Sequence, residues 1–186
     1  MLKYAITDPA FYGDFRAAWR EFARLREADF VLFRDKTCAD YAAWAREFKF
    51  EFDRVAEEFK FEKKPLFFVK NDINLAQNIG ADGVHFDFSH ISNLIFAPRD
   101  LIKIASCHNE REIFIANKFG VDFITFSPVF ASPHKGLAAG LGALKRACKI
   151  SSVPVIALGG VSSREQIEQI ANSGAVGFAG IRYFVR

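Results

Sequence analysis

Short apolar runs alternate along this chain with polar or glycine-rich clusters. Runs with the pattern of buried strands occupy residues 3–7, 29–34, 65–69, 83–86, 102–107, 123–127, 155–158 and 177–181. Helical patterns lie between them, and the longest carries an apolar stripe at the spacing of one helix face, formed by Phe48, Phe52, Val55 and Phe59. Strands that alternate with helices in this way predict a parallel sheet.

Polar residues at fixed spacings predict where helices begin and end. Asn109 with Glu112 is typical of a capped helix start, and Gly120 is typical of the matching helix end. Ser162 with Glu165 has the spacing of a capping box and predicts the start of a later helix.

Eight strands suffice to close a (β/α)8 barrel, the TIM-barrel architecture. We therefore predict a single compact α/β domain of this class over residues 1–186. The chain is shorter than the roughly 250 residues typical of the fold. Only residues 182–186 follow the last predicted strand, so we expect the last helix to be short or absent. An open doubly wound sheet is the alternative.

Composition narrows the functional class. The formal charge is +3 and the basic residues are scattered, which disfavours nucleic-acid binding. The three cysteines form no CxxC motif, as expected in a reducing compartment. No start resembling a signal peptide and no apolar run near the ~20 residues of a membrane span is present, so we expect a cytoplasmic protein without membrane association.

Reactive residues follow the predicted strands, as expected for an enzyme, because parallel α/β proteins build their sites at the carboxyl ends of strands. The stretch DFITFSPVFASPHKG runs from a strand into a loop that contains Ser132, His134 and Lys135. Arg34 and Lys36 are two positions apart, so both point to the same side of an extended segment and suit an anionic substrate.

Histidines occur at two strand ends. His108 follows Ser106 and Cys107, and its side chain suits general acid–base catalysis because imidazole titrates near neutral pH. His85 lies among apolar residues and is interpreted as a hydrogen-bonded core histidine. Asp72 has two readings that the sequence leaves open: an N-cap for the next helix or a ligand for Mg²⁺.

Glycines follow the last two strands. Gly159 and Gly160 come after the seventh strand, and Gly180 ends the eighth. The loops after strands seven and eight of such barrels commonly bind phosphate through backbone N–H groups that small residues leave accessible. Tight turns are the other explanation for these glycines.

Segments along nearly the whole chain resemble, in order, the thiamin phosphate synthase/TenI superfamily. The matching segments are YAITD (4–8), RDK (34–36), ND (71–72), ADGVH (81–85), SCH (106–108), SPVFASPHK (127–135), ALGGV (157–161) and GFAGI (177–181). The resemblance implies a (β/α)8 barrel and an enzyme of thiamin biosynthesis that acts on thiazole phosphate.

We interpret the chain as a TenI-type tautomerase that moves a proton on carboxythiazole phosphate and needs no cofactor. His108 and Lys36 would be its catalytic residues. The resemblance implies a substrate and phosphate site formed by Arg34, Asn71, Ser106, Ser132, His134, Lys135, Gly159, Gly160 and Gly180. Proton transfer needs only a base near the ring and a phosphate cradle.

Three departures from the synthase pattern support this interpretation. His90 stands where the synthase has its second metal carboxylate, with Asp87 as a displaced substitute. Leu32 replaces a glutamine that contacts the pyrimidine, and residues 131–135 depart from the run that grips pyrophosphate. Pyrophosphate displacement depends on metal and cation stabilisation, so these changes weaken it most.

Two alternatives remain open. One is a divergent thiamin phosphate synthase that couples thiazole phosphate to hydroxymethylpyrimidine pyrophosphate with Mg²⁺ at Asp72. The other is a non-catalytic thiamin-pathway binder or regulator on the same barrel. A barrel flank without its helix would expose apolar surface, and a second copy of the chain is one candidate to cover it, which leaves a homodimer open.

Overall fold

The computed structural model describes residues 1–9, 23–131 and 137–185. Its centre is a closed barrel of eight parallel strands in chain order. The strands are β1 (Leu2–Ile6), β2 (Phe30–Leu32), β3 (Leu66–Lys70), β4 (Gly83–Phe86), β5 (Ile102–Cys107), β6 (Phe123–Phe126), β7 (Val155–Leu158) and β8 (Gly177–Gly180). The barrel closes where β1 pairs with β8, which confirms the predicted barrel and excludes the open sheet.

Helices surround the barrel. The α-helices within the described ranges are α1 (Tyr41–Glu58), α2 (Ile73–Ile79), α3 (Glu110–Phe119), α4 (Gly140–Ile150) and α5 (Arg164–Ala171). The 3₁₀ helices are Ala23–Glu27, Phe88–Phe96 and Arg182–Phe184. The last of these is the short element expected after β8, and its Phe184 stacks on Phe178 with ring centroids 6.2 Å apart. None of the helices in the described ranges is long and apolar enough to cross a membrane.

Strict alternation along the strands divides the core into two layers, because successive side chains of a strand point to opposite faces. Side chains that face inward fill the barrel, among them Tyr4, Phe30 and Phe68. The Phe30 and Phe68 rings lie 5.0 Å apart. A Cβ on Gly83 would come within 2.6 Å of the Phe68 ring, so the glycine makes room for that ring. Side chains that face outward pack against the helices.

The apolar stripe of the longest helix packs on the barrel as predicted, except at its end. Phe48, Phe52 and Val55 are buried against the barrel. Phe59 is 42% exposed. Phe59 is the C-cap of α1, at the point where the chain leaves the helix.

The residues predicted to begin and end helices do so at α3, whereas the predicted start of a later helix is displaced by one residue. Asn109 caps α3 and Gly120 ends it with a left-handed backbone, as predicted. The predicted capping box at Ser162 and Glu165 is wrong by one residue: Ser163 is the N-cap of α5, and its partner is Gln166. The side-chain oxygen of Gln166 accepts from the backbone N–H groups of both serines, at 2.8 and 3.1 Å.

Candidate active site

A cavity of about 270 Å³ opens at the carboxyl ends of the strands. Every strand contributes a side chain to it, either from its last residues or from the residues directly after. The lining residues are Ile6, Leu32, Arg34, Lys36, Lys70, His85, Asp87, Ser106, His108, Ser127, Leu158 and Ile181. Lining residues that come from the same strand are two positions apart, which places their side chains on the same face of that strand. The cavity therefore continues the inward-facing side of the barrel.

His108 lies at the exposed rim of the cavity, directly before α3. Its Nδ1 atom lies 2.9 Å from the carbonyl oxygen of Ser127 and 3.2 Å from the hydroxyl of the same residue. A carbonyl oxygen only accepts hydrogen bonds, so Nδ1 carries a proton and donates it. In the neutral ring the lone pair then lies on Nε2. The protein therefore holds His108 in the tautomer whose Nε2 atom can act as a base.

Below the rim, His85 joins the barrel interior to the cavity. Its Nδ1 atom lies 2.9 Å from the hydroxyl of Tyr4, and its Nε2 atom lies 2.8 Å from the hydroxyl of Ser106. Burial lowers the pKa of His85 to about 4 and raises the pKa of Tyr4 well above its usual value. Both groups are therefore uncharged near pH 7, which agrees with the interpretation of His85 as a hydrogen-bonded core residue.

Two cations follow β2 and line the cavity together, as their spacing predicted. The Arg34 guanidinium donates to the carboxylate of Asp8 across 2.6 Å. The backbone N–H of Arg34 donates to the hydroxyl of Thr7 across 2.8 Å, which fixes the chain where it leaves the strand. Lys36 is exposed at the cavity rim. The carboxylate of Asp8 offsets the charge of Arg34, and Lys36 adds a second positive charge at the rim, which suits an anionic substrate.

A third cation, Lys70, also lines the cavity, and sequence reasoning missed it. Its ammonium group lies 2.8 Å from the carboxylate of Asp87. Asn71 holds that carboxylate in place, because its amide donates to Asp87 across 3.1 Å and its oxygen accepts from the Asp87 backbone N–H at 2.7 Å. Partial burial raises the pKa of Asp87, but the hydrogen bonds that its carboxylate accepts from Lys70 and Asn71, together with the positive charge of Lys70, outweigh burial and lower the pKa.

The glycine pair after β7 is required by close packing. Gly159 has φ +99°, and a Cβ there would lie 2.8 Å from the backbone of Pro128. Gly160 has φ +71°, and a Cβ there would lie 2.5 Å from the carbonyl oxygen of Ala131. Gly180 has an ordinary backbone conformation and space for a Cβ at 3.4 Å. The packing explains why two of the three positions need glycine, whereas phosphate binding at all three stays a prediction.

The cavity brings together part of the set predicted from the sequence, namely Arg34, Lys36, Ser106 and His108. The predicted glycines adjoin the lining residues Leu158 and Ile181 rather than lining the cavity themselves. Asn71 acts through Asp87, as described above. The remaining predicted residues, which lie outside the described part of the chain, are Ser132, His134 and Lys135.

The family model of thiamine monophosphate synthase matches residues 3–184. The chain belongs to this family. A thiamine-phosphate synthase of Methanoregula boonei is 30% identical over 182 residues, which cover 92% of this chain and 80% of the relative. A thiamine-phosphate synthase of Alcanivorax borkumensis is 34% identical over 187 residues, which cover 95% of this chain and 81% of the relative.

Solved structures agree on the fold. Thiamine phosphate pyrophosphorylase from Pyrococcus furiosus superimposes with a TM-score of 0.78 and 24% sequence identity, over 97% of this chain and 85% of that chain. Identity at this level supports the barrel architecture alone. The family membership confirms the resemblance of the sequence motifs and places this chain in thiamin biosynthesis.

The synthase reaction in this family implies Mg²⁺, and the described residues do not fit a two-carboxylate site for it. Asp72 is the N-cap of α2, and its Oδ1 atom accepts from the backbone N–H of Leu75 at 2.8 Å. His90 is exposed and hydrogen-bonded to Ser89. Asp87 is bound by Lys70 and Asn71, as above. Within residues 1–9, 23–131 and 137–185, no group of three His, Cys, Asp or Glu side chains is arranged to hold a metal ion.

Proposed function

We propose that this member of the thiamine monophosphate synthase family moves a proton on carboxythiazole phosphate, as a tautomerase. The observation that carries the proposal is the hydrogen bond from His108 Nδ1 to the carbonyl oxygen of Ser127 at 2.9 Å. It holds the ring in the tautomer that leaves Nε2 as a base at the rim of the cavity. A positioned histidine can act as the general base and then the general acid in a proton shift within a substrate.

His108 has two steps in this reaction. Nε2 accepts a proton from one carbon of the substrate, and the imidazolium that forms returns the proton at another carbon. The carbonyl oxygen of Ser127 keeps accepting from Nδ1 in both states, so the ring need not rotate between the steps. The substrate is isomerised with no net change in atoms or charge.

The cations of the cavity have the complementary role. Proton removal leaves negative charge on the substrate, and positive side chains fixed around the cavity lower the energy of that state. Arg34 and Lys36 line the cavity on the side of β2, and Lys70 lines it on the side of β3. The same groups would neutralise the phosphate and carboxylate of the bound substrate.

The synthase reaction is the second candidate, and the names of the relatives favour it. Both relatives described above are thiamine-phosphate synthases. In that reaction thiazole phosphate is coupled to hydroxymethylpyrimidine pyrophosphate, and pyrophosphate leaves. The donor set around Asp72 and His90 argues against it in this chain, because the second metal carboxylate is missing.

A paired NMR assay on the purified protein decides between the two. One tube contains the carboxythiazole phosphate tautomer alone, and the other contains thiazole phosphate, pyrimidine pyrophosphate and Mg²⁺. Isomerisation confined to the first tube is the expected result. Thiamin phosphate in the second tube would establish the synthase reaction instead. Binding of thiazole phosphate by calorimetry without turnover in either tube would identify a non-catalytic member and overturn both.

A further inference from the structure

A buried chain of hydrogen bonds connects the barrel interior to the cavity. Tyr4 and His85 are buried, at 0% and 3% exposure, and Ser106 lines the cavity. The phenol of Tyr4 lies 2.9 Å from His85 Nδ1, and Nε2 of the same ring lies 2.8 Å from the hydroxyl of Ser106. The two shorter hydrogen bonds of the His85 ring therefore connect it to the buried hydroxyl of Tyr4 on one side and to the cavity-lining hydroxyl of Ser106 on the other.

The direction of these bonds follows from the donors available. A neutral imidazole has one N–H donor and one acceptor nitrogen. If Nδ1 carried the proton of the ring, the oxygen of the Tyr4 phenol would accept that hydrogen bond. The hydroxyl proton of Tyr4 would then be buried and could no longer use Nδ1 as its acceptor. A buried donor that is left without an acceptor destabilises the folded protein. The phenol of Tyr4 therefore donates to Nδ1, and the proton of the ring lies on Nε2.

One further hydroxyl approaches the same nitrogen. Thr125 is fully buried, and its hydroxyl lies 3.5 Å from His85 Nε2, whereas the hydroxyl of Ser106 lies at 2.8 Å. Hydrogen bonds weaken with distance, so Ser106 is the main partner of Nε2. The long contact to Thr125 does not reverse the preference that the shorter bond to Tyr4 creates.

We propose that Tyr4 and His85 are positioning residues that hold the Ser106 hydroxyl as a hydrogen-bond donor to an anionic ligand in the cavity. Because Nε2–H donates to Ser106, the serine oxygen accepts within the protein and its own proton is left for the ligand. A phosphate or carboxylate oxygen only accepts hydrogen bonds and suits that proton. The direction of the chain does not depend on which reaction the protein catalyses.

Neutrality of the ring keeps this arrangement intact. A protonated His85 would donate from both nitrogens, and the phenol of Tyr4 would then have to accept. Burial lowers the pKa of His85 to about 4, with the nearby cations Lys70 and Arg34 acting in the same direction and Asp87 against it. The ring is therefore neutral over the pH range in which most enzymes work.

The direct test is the tautomer of His85, measured by nitrogen NMR on the ¹⁵N-labelled full-length protein. The signals are assigned by their loss in His85→Gln. We expect a protonated Nε2 and an unprotonated Nδ1 at pH 7. A proton on Nδ1 would overturn the inference.

Two phenol variants test the role of Tyr4. Tyr4→Phe removes the donor to Nδ1, so the population of the other tautomer is expected to rise. Tyr41→Phe is the matched control, because the Tyr41 hydroxyl donates to the carbonyl oxygen of Phe33 and accepts from the backbone N–H of Lys70, and neither bond involves the His85 ring. An unchanged tautomer ratio in a folded Tyr4→Phe would show that Tyr4 does not set it. If Tyr4→Phe does not fold, the tautomer of the wild-type protein decides.

The proposed hydrogen bond from Ser106 to an anionic ligand is tested by measuring anion binding. Calorimetry with inorganic phosphate and with acetate separates the two anion classes. Ser106→Ala is expected to bind the preferred anion about tenfold more weakly, the size of one hydrogen bond to a charged group. Ser89→Ala, an exposed serine that does not line the cavity, is the control. Equal binding by Ser106→Ala, or no binding of either anion to the wild type, would overturn the donor role of Ser106.

Discussion

The Nδ1 atom of His108 donates to the carbonyl oxygen of Ser127 across 2.9 Å, although the two residues are 19 positions apart in the chain. β5 and β6 are neighbours in the barrel, and their last residues, Cys107 and Phe126, are paired. His108 and Ser127 are the next residues along the two strands. A substitution at position 127 changes the side chain and leaves this backbone carbonyl in place. The tautomer of His108 is therefore set by the fold itself.

Replacement of His108 by alanine removes the proposed base. We expect His108→Ala to lower kcat for the tautomerase reaction by about 10²–10⁴-fold, the usual contribution of general acid–base catalysis. Since the side chain is exposed, the free energy of unfolding should change by no more than about 1 kcal/mol. Steady-state kinetics and urea denaturation measure the two quantities.

His90→Ala is the matched control, because His90 is also exposed but does not line the cavity. It should leave kcat unchanged. Full turnover by His108→Ala would contradict the role assigned to His108.

Lys70→Met tests the cation that follows from the structure alone. The change removes an ammonium group from the cavity wall and leaves the carboxylate of Asp87, its partner at 2.8 Å, without that countercharge. Both effects oppose anion binding, so KM for the thiazole phosphate substrate should rise about tenfold or more. Lys63→Met is the control, since Lys63 pairs with Asp29 before the start of β3, at the other end of the barrel. Equal KM values in the two variants would exclude a substrate contact by Lys70.

A pair of glycine variants tests the turn after β7. Gly160→Ala puts a Cβ within 2.5 Å of the Ala131 carbonyl oxygen at a φ of +71°, and we expect a loss of about 2–4 kcal/mol in the free energy of unfolding. At Gly142, inside α4, a Cβ would meet only the guanidinium of Arg146, at 3.9 Å, so Gly142→Ala should raise the free energy of unfolding by about 0.5–1 kcal/mol. Thermal or urea denaturation measures both. A Gly160→Ala protein as stable as wild type would show that the turn does not need glycine.

The buried histidine predicts how stability depends on pH. The pKa of His85 is about 4 in the folded protein, and an unfolded histidine has a pKa of about 6.5. Between these values the unfolded state binds a proton that the folded state does not, so stability falls as the pH falls. Between pH 7 and pH 5 the contribution of His85 is a loss of about 2 kcal/mol.

Urea denaturation of the wild type and of His85→Gln at both pH values measures that contribution. The variant should lose less stability between pH 7 and pH 5 than the wild type does, whatever its absolute stability. An identical pH dependence in wild type and His85→Gln would rule out the depressed pKa of His85.

Lys70 shows how a one-residue error in a strand hides a functional residue. The sequence predicts the third strand at residues 65–69, whereas β3 is Leu66–Lys70. Side chains of a strand alternate between two faces, and Leu66 and Phe68 point into the barrel. Lys70 therefore points to the cavity. The alternation from Leu66 through Phe68 identifies Lys70 as an inward-facing residue. This pattern includes Lys70 only when the predicted strand is extended by one residue.

Residue types and their spacing along the chain were enough to predict the order of elements, the number of strands and the two ends of α3. The cap at Asn109 with Glu112 spans three positions, and Arg34 and Lys36 are related by the strand repeat. Such relations depend on local backbone geometry, which residue type and spacing largely decide. The family motifs, also local, gave the same barrel.

Contacts between residues that are distant in the chain could not be predicted in this way and follow from the folded barrel. Tyr4 and His85 are 81 positions apart, yet their side chains are hydrogen-bonded inside the barrel. Lys70 meets Asp87 because β3 and β4 pair in one register. Contacts of this kind depend on barrel closure, strand register and the rotamers that packing allows, none of which is encoded at a fixed spacing along the chain.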